Sequence, residues 1–444
     1  MNNNMHILSK STYIKGEQCE KSLYLYKKRP FLRDKLSLEK RAKFKRGTDV
    51  GILAQKRFPD GINMSPASPS QFGKKAAETL SNLNNPAVNV MYEAVFQYDD
   101  TLIMLDILVR DGDKWRAIEV KSSLSVSSTY MKDAALQYYV LRGCGVAISD
   151  IEIMYINADY VKDGDLDLTQ LFVFKSVKDF AEQQSDVIRN KIQHFKDILN
   201  LEHSPEVSVG TRCETPYHCE FYGHCWKNIP EDSELKTAGL SPNKIEAMLQ
   251  HTFYIDFKQL YDLLPDKNVE TAFLSLLFHS PAIPVLDGDK PYCEYILGFS
   301  ILIKNGTEEK YFHWDCIDNI SERNECFKIL TDKLKGVNNV IYFSPQNLSA
   351  HIQKSSIEDA KELNYKLVNL REILQQSDFF HEKTKADMSL KNVYESLFKG
   401  KTLFEHSRIL LNATSGNEME KQLVGDDLAL ENNALREIYN FLRQ

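Results

Sequence analysis

Three charged residues on two neighbouring predicted strands have the types and spacing that metal-assisted hydrolysis requires. Asp106 lies within an apolar strand predicted over residues 101–110, where an unpaired carboxylate would be costly. Glu119 and Lys121 are two residues apart on the next predicted strand, so their side chains project from the same face. Because the turn predicted at residues 111–114 can bring Asp106 beside Glu119, we predict that the three residues form one site.

The chemistry of phosphodiester hydrolysis assigns a role to each of these residues. A divalent cation offsets the charge on the phosphate and activates a water molecule. Mg²⁺ and Mn²⁺ prefer oxygen ligands, which Asp106, Glu119 and the backbone carbonyl of Val120 can supply. Lys121 would then stabilise or deprotonate the attacking water. The alternative is an ordinary Glu–Lys pair on the edge of a strand.

Two further polar residues are candidates for the same site. Gln137 lies on the helix predicted over residues 128–142, just after the E-x-K strand, and can orient the water or the scissile phosphate. Glu93 lies on the strand predicted over residues 88–98. It is either a further metal ligand or an exposed strand carboxylate.

Four of the eight cysteines have the pattern of a ligand set. Cys213, Cys219 and Cys225 follow a regular C-x5-C-x5-C spacing, and Cys19 is the candidate for a fourth ligand. Four thiolates bind either a 4Fe-4S cluster or Zn²⁺. Zinc sites favour closely spaced pairs, whereas a distant first cysteine suits a clasp between the N-terminal segment and the end of the domain. The cysteines therefore predict such a clasp around an iron–sulfur cluster or Zn²⁺, and buried free cysteines are the alternative.

The elements that must position these residues predict two α/β domains. The chain has 444 residues, too many for one ordinary core. Residues 1–228 form the first predicted domain, residues 229–251 a polar linker and residues 252–444 the second domain. The strands predicted for the second domain cover residues 252–257, 295–304, 310–314 and 340–343.

Basic residues are concentrated near the N-terminus. Between Lys10 and Arg57 there are fifteen lysines and arginines but five acidic residues, although the whole chain has a net charge of −7. The aromatic residues interleaved with them are Tyr13, Tyr24, Tyr26, Phe31 and Phe44. This pattern suits a phosphate backbone with unstacked bases, and a solvated helical face is the alternative.

Apolar windows long enough to cross a membrane are missing from the sequence, and residues 1–10 are polar. We therefore expect a cytoplasmic protein that does not bind membranes. In that compartment the cysteines are expected to remain reduced.

The order of Cys19, Asp106, Glu119-x-Lys121, Gln137 and the later cysteines resembles the iron–sulfur-containing PD-(D/E)XK (RecB-like) nucleases. These include the CRISPR-adaptation nucleases and the nuclease domain of AddB-type helicase–nucleases. The similarity is greater to a bacterial family that joins this module to a C-terminal RNase H-like domain. The stretches that carry this resemblance are residues 47–51, 58–61, 118–123, 136–141, 216–219, 253–257 and 290–292.

The resemblance implies both folds and an activity. The first domain would have the PD-(D/E)XK fold, a mixed sheet flanked by helices and closed by the cysteine clasp. It would cleave DNA with a single-stranded region or a free end, using Mg²⁺ or Mn²⁺, in repair, recombination or antiviral defence. Any helicase would be a separate partner, because the chain has no G-x-x-x-x-G-K-[ST] motif. The alternatives are a nucleic-acid-binding or assembly subunit with vestigial catalysis, and an RNA substrate.

Two departures from the family pattern modify these expectations. Many of these nucleases carry a metal-binding histidine where residues 47–54 have none, so Glu93 or water is expected to replace it. The second domain resembles DEDD exonucleases, which open with D-x-E, but this chain has residues 256–258, Asp-Phe-Lys. Later aspartates of that family are aligned with residues 368–370 and 431–433, which contain asparagine instead. We therefore expect a degenerate second domain, retained for binding DNA, a partner or another copy of itself.

Overall fold

The chain divides into two units, and each is built on its own β-sheet. The first unit comprises Met1–Ile229 and Ala282–Tyr292, and the second comprises Pro230–Pro281 and Cys293–Gln444. Both have mixed sheets flanked by helices, which confirms the predicted α/β class. The computed structural model describes residues 7–35, 38–266, 269–346, 348–354, 358–385, 387–403 and 418–444.

A seven-stranded mixed sheet forms the centre of the first unit. Its strands are β1 (Leu8–Ser9), β2 (Ile62–Asn63), β3 (Val90–Tyr98), β4 (Thr101–Asp111), β5 (Lys114–Lys121), β6 (Ile148–Ile156) and β7 (Phe172–Ser176). They follow the order β2-β3-β4-β5-β6-β7, and β1 pairs with β4. Strands β3, β4 and β5 are successively antiparallel, whereas β5 and β6 are parallel. The parallel pair requires a crossover, which a helix provides.

Tight turns connect the strands that carry the predicted site. Asp99 and Asp100 join β3 to β4 with φ values of 48° and 57°, the left-handed conformation that short hairpin turns need. Gly112, at 62°, does the same between β4 and β5. The turn predicted at residues 111–114 is therefore confirmed.

Helices cover both faces of the first sheet. They are α1 (Lys10–Gln18), α2 (Glu20–Lys28), α3 (Leu38–Gln55), α4 (Phe72–Leu83), α5 (Ser128–Gly143), α6 (Leu168–Leu171), α7 (Lys178–Gln183), α8 (Ser185–Asn200) and α9 (Tyr222–Trp226). Ala134 of α5 belongs to the same core as Ala117, whereas Val50 of α3 packs in the core that contains Ile118. Because neighbouring strand residues project to opposite faces, Glu119 lies on the face that α5 covers.

The segment Ala282–Tyr292 completes the first unit, although it comes from the second half of the chain. The Lys162 ammonium pairs with Asp287 at 2.6 Å, and the Lys162 amide donates to the Asp289 carbonyl. The Tyr292 hydroxyl donates a hydrogen bond to the carbonyl of Ser122, the residue that follows β5. The segment therefore ends beside the strand that carries Glu119 and Lys121.

A five-stranded sheet forms the centre of the second unit. Its strands are β8 (Thr271–His279), β9 (Tyr295–Asn305), β10 (Glu308–Asp315), β11 (Asn339–Tyr342) and β12 (Leu367–Asn369), and they follow the order β10-β9-β8-β11-β12. Strands β8, β9 and β10 form an antiparallel meander. Strands β11 and β12 run parallel to β8.

Helices pack on both faces of this second sheet. They are α10 (Glu234–Thr237), α11 (Pro242–Leu249), α12 (Phe257–Leu263), α13 (Cys326–Lys333), α14 (Leu348–Lys354), α15 (Glu358–Leu363), α16 (Leu370–Gln376), α17 (Leu390–Leu397) and α18 (Glu418–Leu442). Phe273 packs in the core formed with α16, α17 and α18, and Leu274 packs in the core formed with α13. None of the helices within the described ranges is both long enough and apolar enough to cross a membrane.

Two expectations for this half of the chain differ from the structure. Residues 252–257 do not form the opening strand, because Tyr254 makes a single bridge with Phe380 and α12 begins at Phe257. The first strand of the sheet is β8. Residues 229–251 hold α10 and α11, and residues 230–251 belong to the second unit.

Candidate functional site

The predicted trio lies where the pairing between β4 and β5 ends. The antiparallel ladder runs from Asp111 opposite Lys114 to Ile107 opposite Ile118, and Asp106 and Glu119 come directly after its last pair. Strand β5 stays paired with β6 as far as Lys121. The Asp106 carboxylate accepts a hydrogen bond from the Val120 amide at 2.6 Å. The β4–β5 ladder therefore stops just before Asp106 and Glu119, and these two residues lie side by side beyond its last pair.

Glu119 is the centre of the site, and its side chain is fully engaged. The residue is 1% exposed. Its Oε1 accepts from the Lys121 ammonium at 2.7 Å and from the Lys10 ammonium at 2.8 Å. Its Oε2 accepts from the Gln137 amide at 2.7 Å. Side chains from β5, α1 and α5 therefore converge on one buried carboxylate, and the sequence had singled out Lys121 and Gln137 among them.

Lys10 and Asp133 belong to the site and were missed in the sequence. The Lys121 ammonium donates to Asp133 at 2.6 Å in addition to Glu119. Asp133 precedes Gln137 by one turn of α5, so an i,i+4 search on the predicted helix could have found it. Lys10 is the first residue of α1 and is 109 positions from Glu119. Nothing local in the sequence signals that contact.

The two neighbouring carboxylates have opposite pKa shifts. Burial alone would raise the pKa of Glu119, but the ammonium groups of Lys10 and Lys121 hold it well below its usual range. Burial and the charge on Glu119 raise the pKa of Asp106 to about 8, and Lys10 and Lys121 offset this only in part. Ionisation of Asp106 beside the ionised Glu119 is therefore unfavourable, and additional positive charge would favour it.

Glu93 also lies at this site. The register of β3 with β4 pairs Tyr92 with Ile107 and Ala94 with Leu105, which places Glu93 across from Asp106. Its φ of 52° is uncommon for a residue other than glycine. Burial, together with the charge on Glu119, raises the pKa of Glu93. The predicted ligands Asp106, Glu119, Val120 and Glu93 are therefore neighbours.

Within the described residues, no three histidine, cysteine or acidic side chains are arranged to hold a metal ion. At the carboxylate site, the oxygens of Glu119 are engaged by lysine and glutamine donors. Asp106 and Glu93 supply oxygens close by. The donor set has the chemistry that Mg²⁺ or Mn²⁺ requires, but a cation would have to displace an ammonium group to reach Glu119.

The four predicted cysteines line a single cavity. Cys19 lies between α1 and α2, Cys213 ends a short 3-10 helix, and Cys225 is in α9; with Cys219 they surround one space. All four are free thiols. Burial raises the pKa of Cys19, and the neighbouring thiols of Cys219 and Cys213 add to the shift. Cys19 therefore lies beside the three later cysteines, although most of the first unit's chain separates it from Cys213.

Hydrogen bonds fasten the N-terminal helices to the cysteine segment. The Gln18 side chain donates to the carbonyls of Arg212 and Tyr217, at 2.8 and 2.6 Å. The Lys15 ammonium pairs with Glu220 at 2.9 Å. These contacts hold the N-terminal helices against the segment that carries the three later cysteines.

The basic and aromatic N-terminal segment does not form one continuous surface. Tyr13 and Tyr24 are buried in the core of the first unit. Phe31 and Phe44 are 79% and 60% exposed, and the ring of Tyr26 lies beneath Arg33. The expected stacking surface is therefore limited to a few exposed rings.

Comparisons with known proteins give no family for this chain. No protein-family model matches it, and no match was found among curated proteins.

Proposed function

We propose that the first unit is a metal-dependent nuclease with the PD-(D/E)XK (RecB-like) fold. It would hydrolyse phosphodiester bonds in DNA that has a single-stranded region or a free end. The observation that carries this proposal is the convergence of Lys121, Gln137 and Lys10 on buried Glu119, next to Asp106. Buried charges are costly and are concentrated at functional sites.

Asp106, Glu119, Glu93 and the Val120 carbonyl would hold Mg²⁺ or Mn²⁺. The cation would supply charge neutralisation at the phosphate and lower the pKa of a bound water. It would also provide the positive charge that Asp106 and Glu119 need in order to be ionised together. These four positions are the ones that the sequence proposed.

The contacts of Lys121 favour one of the two roles proposed for it. Burial would lower the pKa of this lysine, but Glu119 and Asp133 raise it well above its ordinary value. A lysine between two carboxylates stays protonated. Lys121 would therefore stabilise negative charge on the attacking oxygen or the phosphate, rather than act as the base.

Gln137 would serve first as a positioning residue. The side-chain nitrogen of Gln137 donates to Glu119 Oε2. The side-chain oxygen of Gln137, Oε1, is buried and has no hydrogen-bond partner among the described residues. A buried carbonyl oxygen of this kind is a suitable acceptor for an ordered water. Gln137 would thus hold Glu119 with one atom and a water with the other.

The four cysteines would hold a 4Fe-4S cluster, with Zn²⁺ as the alternative. All four line one cavity, and the segments that carry them are already bonded to each other. Four thiolates are a complete ligand set for either group. The cluster would close the clasp and would take no part in hydrolysis.

The second unit would have an RNase H-like fold without catalytic acids. The order β10-β9-β8-β11-β12, with three antiparallel strands followed by two parallel ones, supports this fold. Ser275 lies at the centre of β8, and its buried partner is Asn432. Such a unit would bind DNA, a partner protein such as a helicase, or another copy of the chain.

One experiment tests the proposed activity. Anaerobically purified protein is incubated with end-labelled single- and double-stranded DNA in Mn²⁺, Mg²⁺ or EDTA. We expect metal-dependent cleavage that Lys121→Ala lowers on the order of 100-fold or more. Lys114→Ala is the matched control, because Lys114 is an exposed residue at the other end of β5. If the metal-loaded protein does not cut DNA, or if Lys121→Ala cuts at the normal rate, the subunit that binds without catalysis becomes the preferred function.

A further inference from the structure

Two ammonium groups share one oxygen of Glu119, and they are not held equally. Lys121 and Lys10 both donate to Oε1, at 2.7 and 2.8 Å. Lys121 is also bound to Asp133 at 2.6 Å. Glu119 is the one hydrogen-bonded partner of Lys10 in the described part of the chain, and the Lys10 side chain is 24% exposed. The Lys10 ammonium can therefore leave Glu119 at a smaller cost in free energy than the Lys121 ammonium can.

The carboxylates that attract the Lys10 ammonium would also attract a divalent cation. The charges of Glu119, Asp133 and Asp106 all act on its ammonium group and raise the pKa of Lys10, against the effect of burial. A divalent cation on the same oxygen would repel the Lys10 ammonium more strongly than the single charge of Lys121 does, because the repulsion grows with the product of the charges. Because Glu119 Oε1 already accepts from two ammonium groups, a metal ion bound to it would take the place of the Lys10 ammonium.

We infer that Lys10 is a built-in competitor for the metal ion and a substrate-binding residue at the same site. In the protein without metal it neutralises Glu119. When Mg²⁺ or Mn²⁺ binds Glu119, the ammonium is released and pairs with a phosphate oxygen of the nucleic acid. This inference rests on the proposed nuclease function, because it requires a phosphodiester substrate beside the metal.

The exchange couples the binding of metal to the binding of substrate. Metal alone must break the Lys10–Glu119 pair without giving the lysine a new partner. Metal together with a phosphodiester supplies that partner, so each ligand should strengthen the binding of the other. The protein would then assemble its metal site efficiently only when a strand is present.

Calorimetric titration with Mn²⁺ tests this coupling without requiring turnover. The titrations use the wild-type protein and Lys10→Met, each with and without a phosphorothioate oligonucleotide that resists cleavage. We expect Lys10→Met to bind Mn²⁺ alone on the order of tenfold more tightly and to lose most of the enhancement that the oligonucleotide gives. We also expect its kcat/KM for cleavage to fall. Lys10→Arg keeps the positive charge and should retain weak binding of Mn²⁺ alone.

Three controls show whether the loss of the Lys10 charge at Glu119 causes the change in Mn²⁺ binding. Lys28→Met removes an exposed charge from the same basic segment and should leave Mn²⁺ binding unchanged. Glu119→Gln should abolish the binding, which assigns the titrated site. Thermal unfolding shows whether Lys10→Met remains folded, and Lys10→Arg gives the folded comparison if it does not.

The outcomes distinguish this inference from the proposed function. If cleavage requires Lys121 but Lys10→Met binds Mn²⁺ with wild-type affinity and coupling, the competitor role is wrong and the nuclease stands. If Lys10→Met binds Mn²⁺ more tightly but the wild type cuts neither DNA nor RNA, the competition is real and the nuclease assignment fails. If neither protein binds Mn²⁺ at Glu119, the inference is overturned.

Discussion

Two buried polar clusters, one in each unit, differ in the chemistry of their members. In the first, Asp106, Glu119 and Asp133 lie close together with two lysines, and four thiols line a cavity. In the second, Ser275 donates to Asn432 at 2.6 Å, and Asn432 donates to Ser300 at 2.7 Å. The neutral side chains of Ser275, Asn432 and Ser300 form hydrogen bonds with one another. The first contains buried carboxylates that are neutralised by ammonium groups, and free thiols. The proposed function would account for keeping such charged groups buried.

Strand ends in the two units show the same contrast between a neutral amide and a pair of acids. Asn369, at the end of β12, is buried, exchanges hydrogen bonds with Ser344 and caps α16. Asp106 and Glu119, where the β4–β5 pairing ends, have pKa values shifted in opposite directions. An amide at a strand end can be purely structural, whereas a buried acid pair at such a point costs stability unless cations or hydrogen-bond donors compensate its charge.

The largest effect that we expect from the comparison is at the cysteine cavity. Cys219→Ser removes one of the four ligands that we propose, so the first unit should lose the proposed iron or zinc and about 4 kcal/mol of its free energy of unfolding. The second unit should be unaffected. Metal analysis and denaturant unfolding measure these changes, and visible absorbance of the wild type distinguishes an iron–sulfur cluster from zinc.

Cys144→Ser is the control for that prediction. Cys144 is a half-buried thiol of the same unit that donates to the Gln97 carbonyl and lies outside the cavity. It should keep the full metal content. A Cys219→Ser protein that folds normally without iron or zinc would show that the clasp needs no metal.

A smaller effect is expected in the neutral cluster of the second unit. Asn432→Leu leaves the buried hydroxyls of Ser275 and Ser300 without their shared partner, which should cost about 2–3 kcal/mol of unfolding free energy. Cleavage at temperatures well below unfolding should not change. Denaturant titration and initial rates on single-stranded DNA check the two expectations.

A triple variant sharpens the same test. Replacing Ser275 and Ser300 by Ala together with Asn432→Leu removes all three polar groups, so much of the lost stability should return. Slower cleavage by either variant while both remain folded would contradict the division of roles between the units.

The smallest effect is expected at Asp256, the residue that the sequence aligned with a metal ligand of DEDD exonucleases. Its carboxylate accepts from the Gln259 amide at 3.1 Å and caps α12. Because Asn caps helices as well as Asp does, Asp256→Asn should change the unfolding free energy by less than about 0.5 kcal/mol, and Asp256→Ala should cost about 1 kcal/mol. Neither should alter cleavage rates; a metal-dependent loss in Asp256→Asn would restore its assignment as a ligand.

The sequence predicted those parts of the structure that local patterns determine. Strand periodicity and the D-G turn placed Asp106 beside Glu119, and Gln137 was selected because it lies on the helix that follows the E-x-K strand. Lys10 could not be predicted, because its contact with Glu119 depends on how α1 packs against a sheet formed much later in the chain. The spacing of cysteines suggested their proximity, since few other roles bring such a triplet and a distant fourth thiol together.

The opening strand of the second sheet was misplaced for a related reason. Residues 252–257 and residues 271–279 are both short apolar runs, and periodicity alone does not show which of them pairs. The D-x-K triplet at residues 256–258 favoured the earlier run. In the structure that run leads directly into α12, and the first strand of the sheet is β8.

The segment Ala282–Tyr292 sets the order in which the protein can mature on the ribosome. The first unit cannot acquire its bonds to Lys162 and Ser122 until residues 230–281 of the second unit have been translated. A product that ends at residue 229 would lack this piece of the first unit. Synthesis of the two halves is therefore interleaved, and the strand bearing Lys121 receives its last neighbour only when the chain has passed Tyr292.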